Sequence, residues 1–211
     1  MTPERPPRWT IEAILAERAT RLWPFGFTER QARFLALVLQ HTGVFVERQY
    51  CAFAGIAHGQ KSHNFVQRLI DHGYAVPIPV GPAHQGRIIR VRHRALYEAI
   101  YVPHSRLRKP APLGRWVERL MVLDAILADR EFTWLGTAGD KRGYMRRCLG
   151  DDIRPNELPH LTFRSPRGTT TRYFPDRLPL GVEPEGREHV FMYLVTKTSP
   201  VDFRMFLARH A

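Results

Sequence analysis

Five side chains close together in the chain have the chemistry to hold and read a polyanion: Gln60, Lys61, Asn64, Gln67 and Arg68. At 100° per residue they fall on one side of a helix, and Asp71 continues the row. Carboxamides both donate and accept, which suits them to base edges in a major groove, while Lys and Arg neutralise phosphates. Further on, the run RIIRVRH carries Arg87, Arg90 and Arg92. In a strand Arg90 and Arg92 share one face, which can lie along a phosphate backbone. A second constellation points to different chemistry. Phe174-Pro175-Asp176 and Val195-Thr196-Lys197 each end an expected strand, one with a carboxylate and the other with a lysine.

The remaining motifs are negative. Gly59-Gln60-Lys61-Ser62 ends like a phosphate-binding loop, but Gln60 stands where a glycine is needed. The ten histidines form no HExxH or two-Cys, two-His spacing, so no metal ligand is assigned and no cofactor is expected. Cys51 and Cys148 suggest neither a disulfide framework nor a thiolate zinc site, which fits a reducing cytoplasm. Cys51, between Tyr50 and Phe53, reads as a packed thiol. The start, MTPERPPRW, has no apolar signal core and no run reaches transmembrane length, so a cytoplasmic protein is expected.

Charge narrows the partners. Lys and Arg outnumber Asp and Glu by 32 to 20 in the 211 residues, and the excess is concentrated early. Residues 1–109 hold 16 basic and 7 acidic side chains, against 16 and 13 afterwards. A basic first half attracts polyanions, and double-stranded DNA is the partner that also explains a polar helix face.

The elements that must position these residues can be read in order. Residues 1–8 form a proline-rich arm, and Trp9–Leu22 suits a helix broken by Pro24 and Gly26. Thr28 and Gln31 make a capping box for a helix that buries Phe34, Leu35, Val38 and Leu39 and ends at Gly43. Val44–Val46 suits a short strand, and 47–56 a helix with Tyr50, Phe53 and Ala54 inward. Next comes the helix of the reading face, with Phe65, Val66, Leu69 and Ile70 on its apolar side and Gly73 as its stop. YAVPIPV and RIIRVRH then suit a hairpin. Pro77 and Pro79 lose amides on the same edge, so their strand should be an outer one. RALYEAIY should form a short helix, and 103–114, basic and rich in proline, a linker.

In the second half Arg115–Asp129 reads as a helix whose stripe of Trp116, Leu120, Leu123 and Leu127 suits a core or a homodimer seam. FTWL, LTFR, TTRYF and HVFMYLVTK read as strands, 140–149 as a helix, and Ser199-Pro200 as the start of a last one.

The order helix, strand, helix, turn, helix, two-stranded ribbon resembles the winged helix-turn-helix family of DNA-binding proteins, carried by residues 28–102. That resemblance implies Gln60, Lys61, Asn64, Gln67 and Arg68 on a recognition helix and Arg87, Arg90 and Arg92 on the wing. It also implies a bacterial transcriptional regulator or a mobile-element (plasmid) accessory protein. Asp176 and Lys197 are similar to the PD-(D/E)xK nuclease pattern. Val195 fills the second carboxylate position, leaving only Glu183, Glu185 or Glu188 as substitutes from a loop. No catalytic residue is therefore assigned, and the second half is not expected to cut nucleic acid. A winged helix joined to such a half also resembles the replication-relaxation proteins of mobile elements.

The fold class expected is thus α+β. An arm and helix occupy 1–27, a winged helix-turn-helix domain 28–102, a linker 103–114, and a small α+β domain with an antiparallel sheet 115–211. Double-stranded DNA is the expected partner, with a homodimer and a protein contact through the second domain as further expectations. The alternatives from other classes are a PD-(D/E)xK-type nuclease and a winged helix serving as a protein-interaction module.

Overall fold

A computed structural model describes residues 11–79, 87–129, 131–150, 154–166, 168–175, 178–183, 188–195 and 200–210. The class is α+β with antiparallel sheets, and the chain divides into two compact units, 1–130 and 131–211.

The first unit begins with helix α1 (Ile11–Thr20), a short 3-10 turn at Trp23–Phe25, and helix α2 (Glu29–His41). The capping box read from the sequence is present. The Gln31 amide donates to Thr28 Oγ1 at 3.4 Å, and the Thr28 amide donates to Gln31 Oε1 at 3.1 Å. Strand β1 (Val44–Phe45), helix α3 (Glu47–Ala54) and helix α4 (Gln60–Asp71) follow. Gly55 ends α3 in the left-handed region, at φ 64°, and so turns the chain toward α4. Strands β2 (Ala75–Pro79) and β3 (Arg87–Val91) complete a sheet of order β1-β3-β2, all antiparallel. β2 is an outer strand, as two prolines two residues apart require, and Pro77 stands opposite Ile89.

Aromatic packing sets the direction of α4. Phe65 meets four rings, those of Tyr50 (4.2 Å between centroids), Phe34 (6.2 Å), Phe45 (6.2 Å) and Phe27 (6.4 Å). With Ser62, Val66 and Leu69 also buried, one side of the helix is held in the core and the other is left to solvent.

Helices α5 (Arg94–Ala99) and α6 (Leu113–Ala128) close the first unit. Tyr97, fully buried, donates from its hydroxyl to the Val91 carbonyl at 2.9 Å and so ties α5 to the end of β3.

The division between the units differs from the expected one. Within 103–114 the segment about Leu107 is packed rather than free. Leu107 lies on the core, and a side chain at Gly43 would meet the Leu107 carbonyl oxygen at 2.7 Å, so only glycine fits there. Helix α6 belongs to the first unit because polar groups of α3 grip it. Gln49 Nε2 donates to the Leu120 carbonyl at 2.9 Å and to Asp124 Oδ1 at 2.8 Å. Arg48 closes a two-point ion pair on Asp124 at 2.9 and 2.7 Å. Burial pushes the Asp124 pKa up, but the hydrogen bonds from Arg48 and Gln49 outweigh it and hold the carboxyl below its usual range. In consequence Leu123 is buried and Leu127 lies on the same core, so half of the expected dimer stripe is covered inside the unit.

In the second unit a sheet of order β4-β7-β8 forms from Thr133–Leu135, Leu180–Val182 and His189–Phe191. Helix α7 (Ala138–Leu149) starts at Thr137, whose hydroxyl accepts from the Asp140 amide at 3.0 Å. The central strand, LGV, was not expected, because flanking prolines and a glycine hide it. Gly181 suits this strand, since the Trp134 ring lies 3.0 Å from where a β-carbon would be, closer than side chains ordinarily approach. The expected strand HVFMYLVTK ends at Phe191. Strands β5 (His160–Ser165) and β6 (Gly168–Tyr173) do not join this sheet but pair as a separate two-stranded ribbon. Helix α8 spans Pro200–His210.

Candidate nucleic-acid interface

The exposed side of α4 carries two hydrogen-bonded side-chain pairs, each spanning one helical turn, the first between two carboxamides and the second between a carboxamide and a carboxylate. Gln60 Nε2 donates to Asn64 Oδ1 at 2.6 Å, and Gln67 Nε2 donates to Asp71 Oδ1 at 2.7 Å. The first pair leaves Asn64 Nδ2 as a donor and Gln60 Oε1 as an acceptor without a partner among the described residues. Such a set matches the N7 and N6 pattern of adenine or the edge of a neighbouring pair. Asp71 adds an acceptor that suits a cytosine amine and repels a phosphate.

Lys61 and Arg68 lie to one flank of that row, where they line a cleft of about 820 Å³ between α4, α3 and the first turns of α2. Arg30 and Arg33 face the same cleft, and Glu29 is the one acid in its wall. Arg33 pairs with Glu29 at 3.0 Å, Arg30 Nη1 donates to the Ala54 carbonyl at 3.1 Å, and Arg68 Nη1 donates to the Gly26 carbonyl at 2.9 Å. Each guanidinium therefore keeps donors in reserve while one holds it in place. The N-terminal amides of α2 add a partial positive charge to the same region. Tyr50 forms part of the wall. Burial raises its pKa, while a hydrogen bond with Gln31 and the charge of Arg30 oppose the rise.

Arg30 and Arg33 were not among the residues picked from sequence. Their spacing, i and i+3 just after a cap, says only that they share a face of α2. That this face adjoins α4 follows from the ring packing about Phe65, which is a tertiary fact.

The three wing arginines are not gathered on one open face. Arg87 is exposed at the start of β3, and Arg92 is exposed just past its end. Arg90 is half-buried, and its Nη1 donates to the Arg108 carbonyl at 3.4 Å. The cause is the packed segment at 106–108, which covers the central strand where a free linker would have left it open. The Gly-Pro tip of the hairpin, 80–86, lies outside the described residues, as do Asp176, Glu185 and Lys197 of the nuclease-like pattern. Among the described residues no group of three or more His, Cys, Asp and Glu is placed to hold a metal ion, and no helix is long and apolar enough to cross a membrane.

No protein-family model matches the chain, and neither a curated protein nor a solved structure does.

Proposed function

We propose that the first unit is a winged helix-turn-helix domain that binds double-stranded DNA, with α4 as the recognition helix. The observation that carries this reading is the outward row Gln60, Asn64, Gln67 on a helix whose other side is locked into an aromatic core. Four cations, Arg30, Arg33, Lys61 and Arg68, stand beside that row. Reading and holding are thus separated on one surface: amides for base edges, cations for phosphates. The order of elements and the sheet order β1-β3-β2 support the winged form, with β2 and β3 as its ribbon. The first unit also carries most of the positive charge, with 19 basic and 10 acidic residues in 1–130. In the cell such a domain serves a transcriptional regulator or an accessory protein of a mobile element.

The test separates sequence reading from backbone binding. A preferred duplex is selected from a random pool, and Asn64→Ala is measured on it and on random DNA. The expected loss is about 1 to 3 kcal/mol on the preferred site and much less on random duplex. Equal losses on both would remove the recognition role from α4, and no selectable site would remove it altogether.

A further inference from the structure

The β5–β6 ribbon of the second unit has no role in the reading above, and its composition is unusual. Six rungs pair His160 to Ser165 with Tyr173 to Gly168, an arm of roughly 20 Å at the rise of a strand. Leu161 to Ser165 and Gly168 to Arg172 are exposed on both faces, whereas a sheet ordinarily buries one. Residues 158–175 include Arg164, Arg167 and Arg172 and no Asp or Glu; Arg167 lies outside the described residues. The register sorts the side chains. One face bears Arg164 with Thr162, Thr169 and Thr171, and the other bears Arg172, whose guanidinium lies 4.9 Å over the Phe163 ring. Arg142 of α7 extends the charge at the base of the arm, over Tyr173 at 5.1 Å.

We infer that this ribbon is a second DNA-contacting arm, inserted into a groove of the duplex; the inference rests on the reading that the chain binds duplex DNA. Two strands about 5 Å apart fit the major groove of B-form DNA, about 12 Å wide, whereas the deep major groove of A-form RNA is too narrow to admit them. Arginines on both faces can reach the phosphate rows that flank a groove on either side. The threonines between them offer hydroxyls to phosphate oxygens and methyl groups to thymine. An acid-free arm exposed on both faces complements a polyanion in charge; its exposed apolar side chains, Leu161 and Phe163, share one face, where the Arg172 guanidinium lies over the Phe163 ring. The second unit as a whole is only mildly basic, with 13 basic and 10 acidic residues in 131–211, so the charge of the arm is local.

The test uses the full chain, an Arg164→Ala, Arg172→Ala variant, and the matching pair of lysine substitutions. Both arginines are exposed, so circular dichroism should match the parent. Affinity for a 40-base-pair duplex is measured by fluorescence anisotropy across a salt series. With two phosphate contacts removed, the slope of log K against log salt should flatten by about 1.8, at about 0.9 per phosphate, and the lysine pair should restore most of it. An unchanged slope with duplex binding intact overturns the arm and leaves the recognition helix standing. Loss of binding to an A-form RNA duplex equal to or larger than the loss on DNA overturns the choice of DNA. A parent protein that binds no duplex at all overturns this inference together with the proposed function.

Discussion

Gln49 offers a direct measure of how the first unit is assembled. It is fully buried, and its amide makes three bonds: it accepts from the Val46 amide at 3.0 Å and donates to the Leu120 carbonyl and to Asp124. Replacing it by leucine keeps the volume and removes all three. The Leu120 carbonyl still accepts within its own helix, so its loss is small. The Val46 N–H makes no other hydrogen bond among the described residues, and an unsatisfied, partly buried amide costs about 1 to 3 kcal/mol. The bond to Asp124 adds about 1 kcal/mol, discounted because that carboxylate is partly exposed and keeps Arg48. The expected loss is therefore about 2 to 4 kcal/mol, read as a fall of about 1 to 2 M in the urea midpoint for a slope near 2 kcal/mol/M. Combining Gln49→Leu with Asp124→Ala in a double-mutant cycle should show a coupling of about 1 kcal/mol. A loss below about 0.5 kcal/mol with no coupling would mean that α3 does not hold α6. The boundary between the units would then return to residues 103–114.

Two further outcomes follow from single residues. Arg92→Ala should flatten the salt dependence of duplex binding by about 0.9 without altering stability, whereas Arg90→Ala should lower the melting temperature and leave that slope nearly unchanged; equal slope changes would mean that Arg90 reaches DNA after all. Burial raises the Tyr97 pKa well above the ordinary tyrosine value, so the stability it contributes is present below about pH 10 and is lost as pH rises beyond the unfolded value. Tyr97→Phe should therefore cost about 1 kcal/mol at neutral pH, from the bond to Val91, and make the alkaline unfolding profile shallower between pH 9 and about 11. An unchanged alkaline limb in urea titrations would place the titrating group elsewhere.

Local patterns carried much of the first unit. A capping box is a contact between residues three apart, so Thr28 and Gln31 announce the start of α2 without knowledge of anything else. The same holds for the period of Phe65, Val66 and Leu69, which decides which side of α4 is buried, and for Pro77 and Pro79, whose missing amides place β2 at an edge. Charge and polarity on the outward side of α4 were legible for the same reason: the face left over from the core is determined once the core face is.

What the tertiary structure alone decided are the matters that depend on residues far apart in the chain. Arg30 and Arg33 join Lys61 and Arg68 because two helices meet at Phe65. Arg90 leaves the open face because the Leu107 segment settles against Gly43, a contact set by the absence of one β-carbon. Helix α6 belongs with the first unit through Gln49, a residue that looks like ordinary surface in the sequence but is enclosed in the fold. In the second unit the short strand LGV lies between two others, while the longer ribbon stands apart. Strand pairing is a choice among distant partners, and alternation along one strand reveals its faces but not its neighbours.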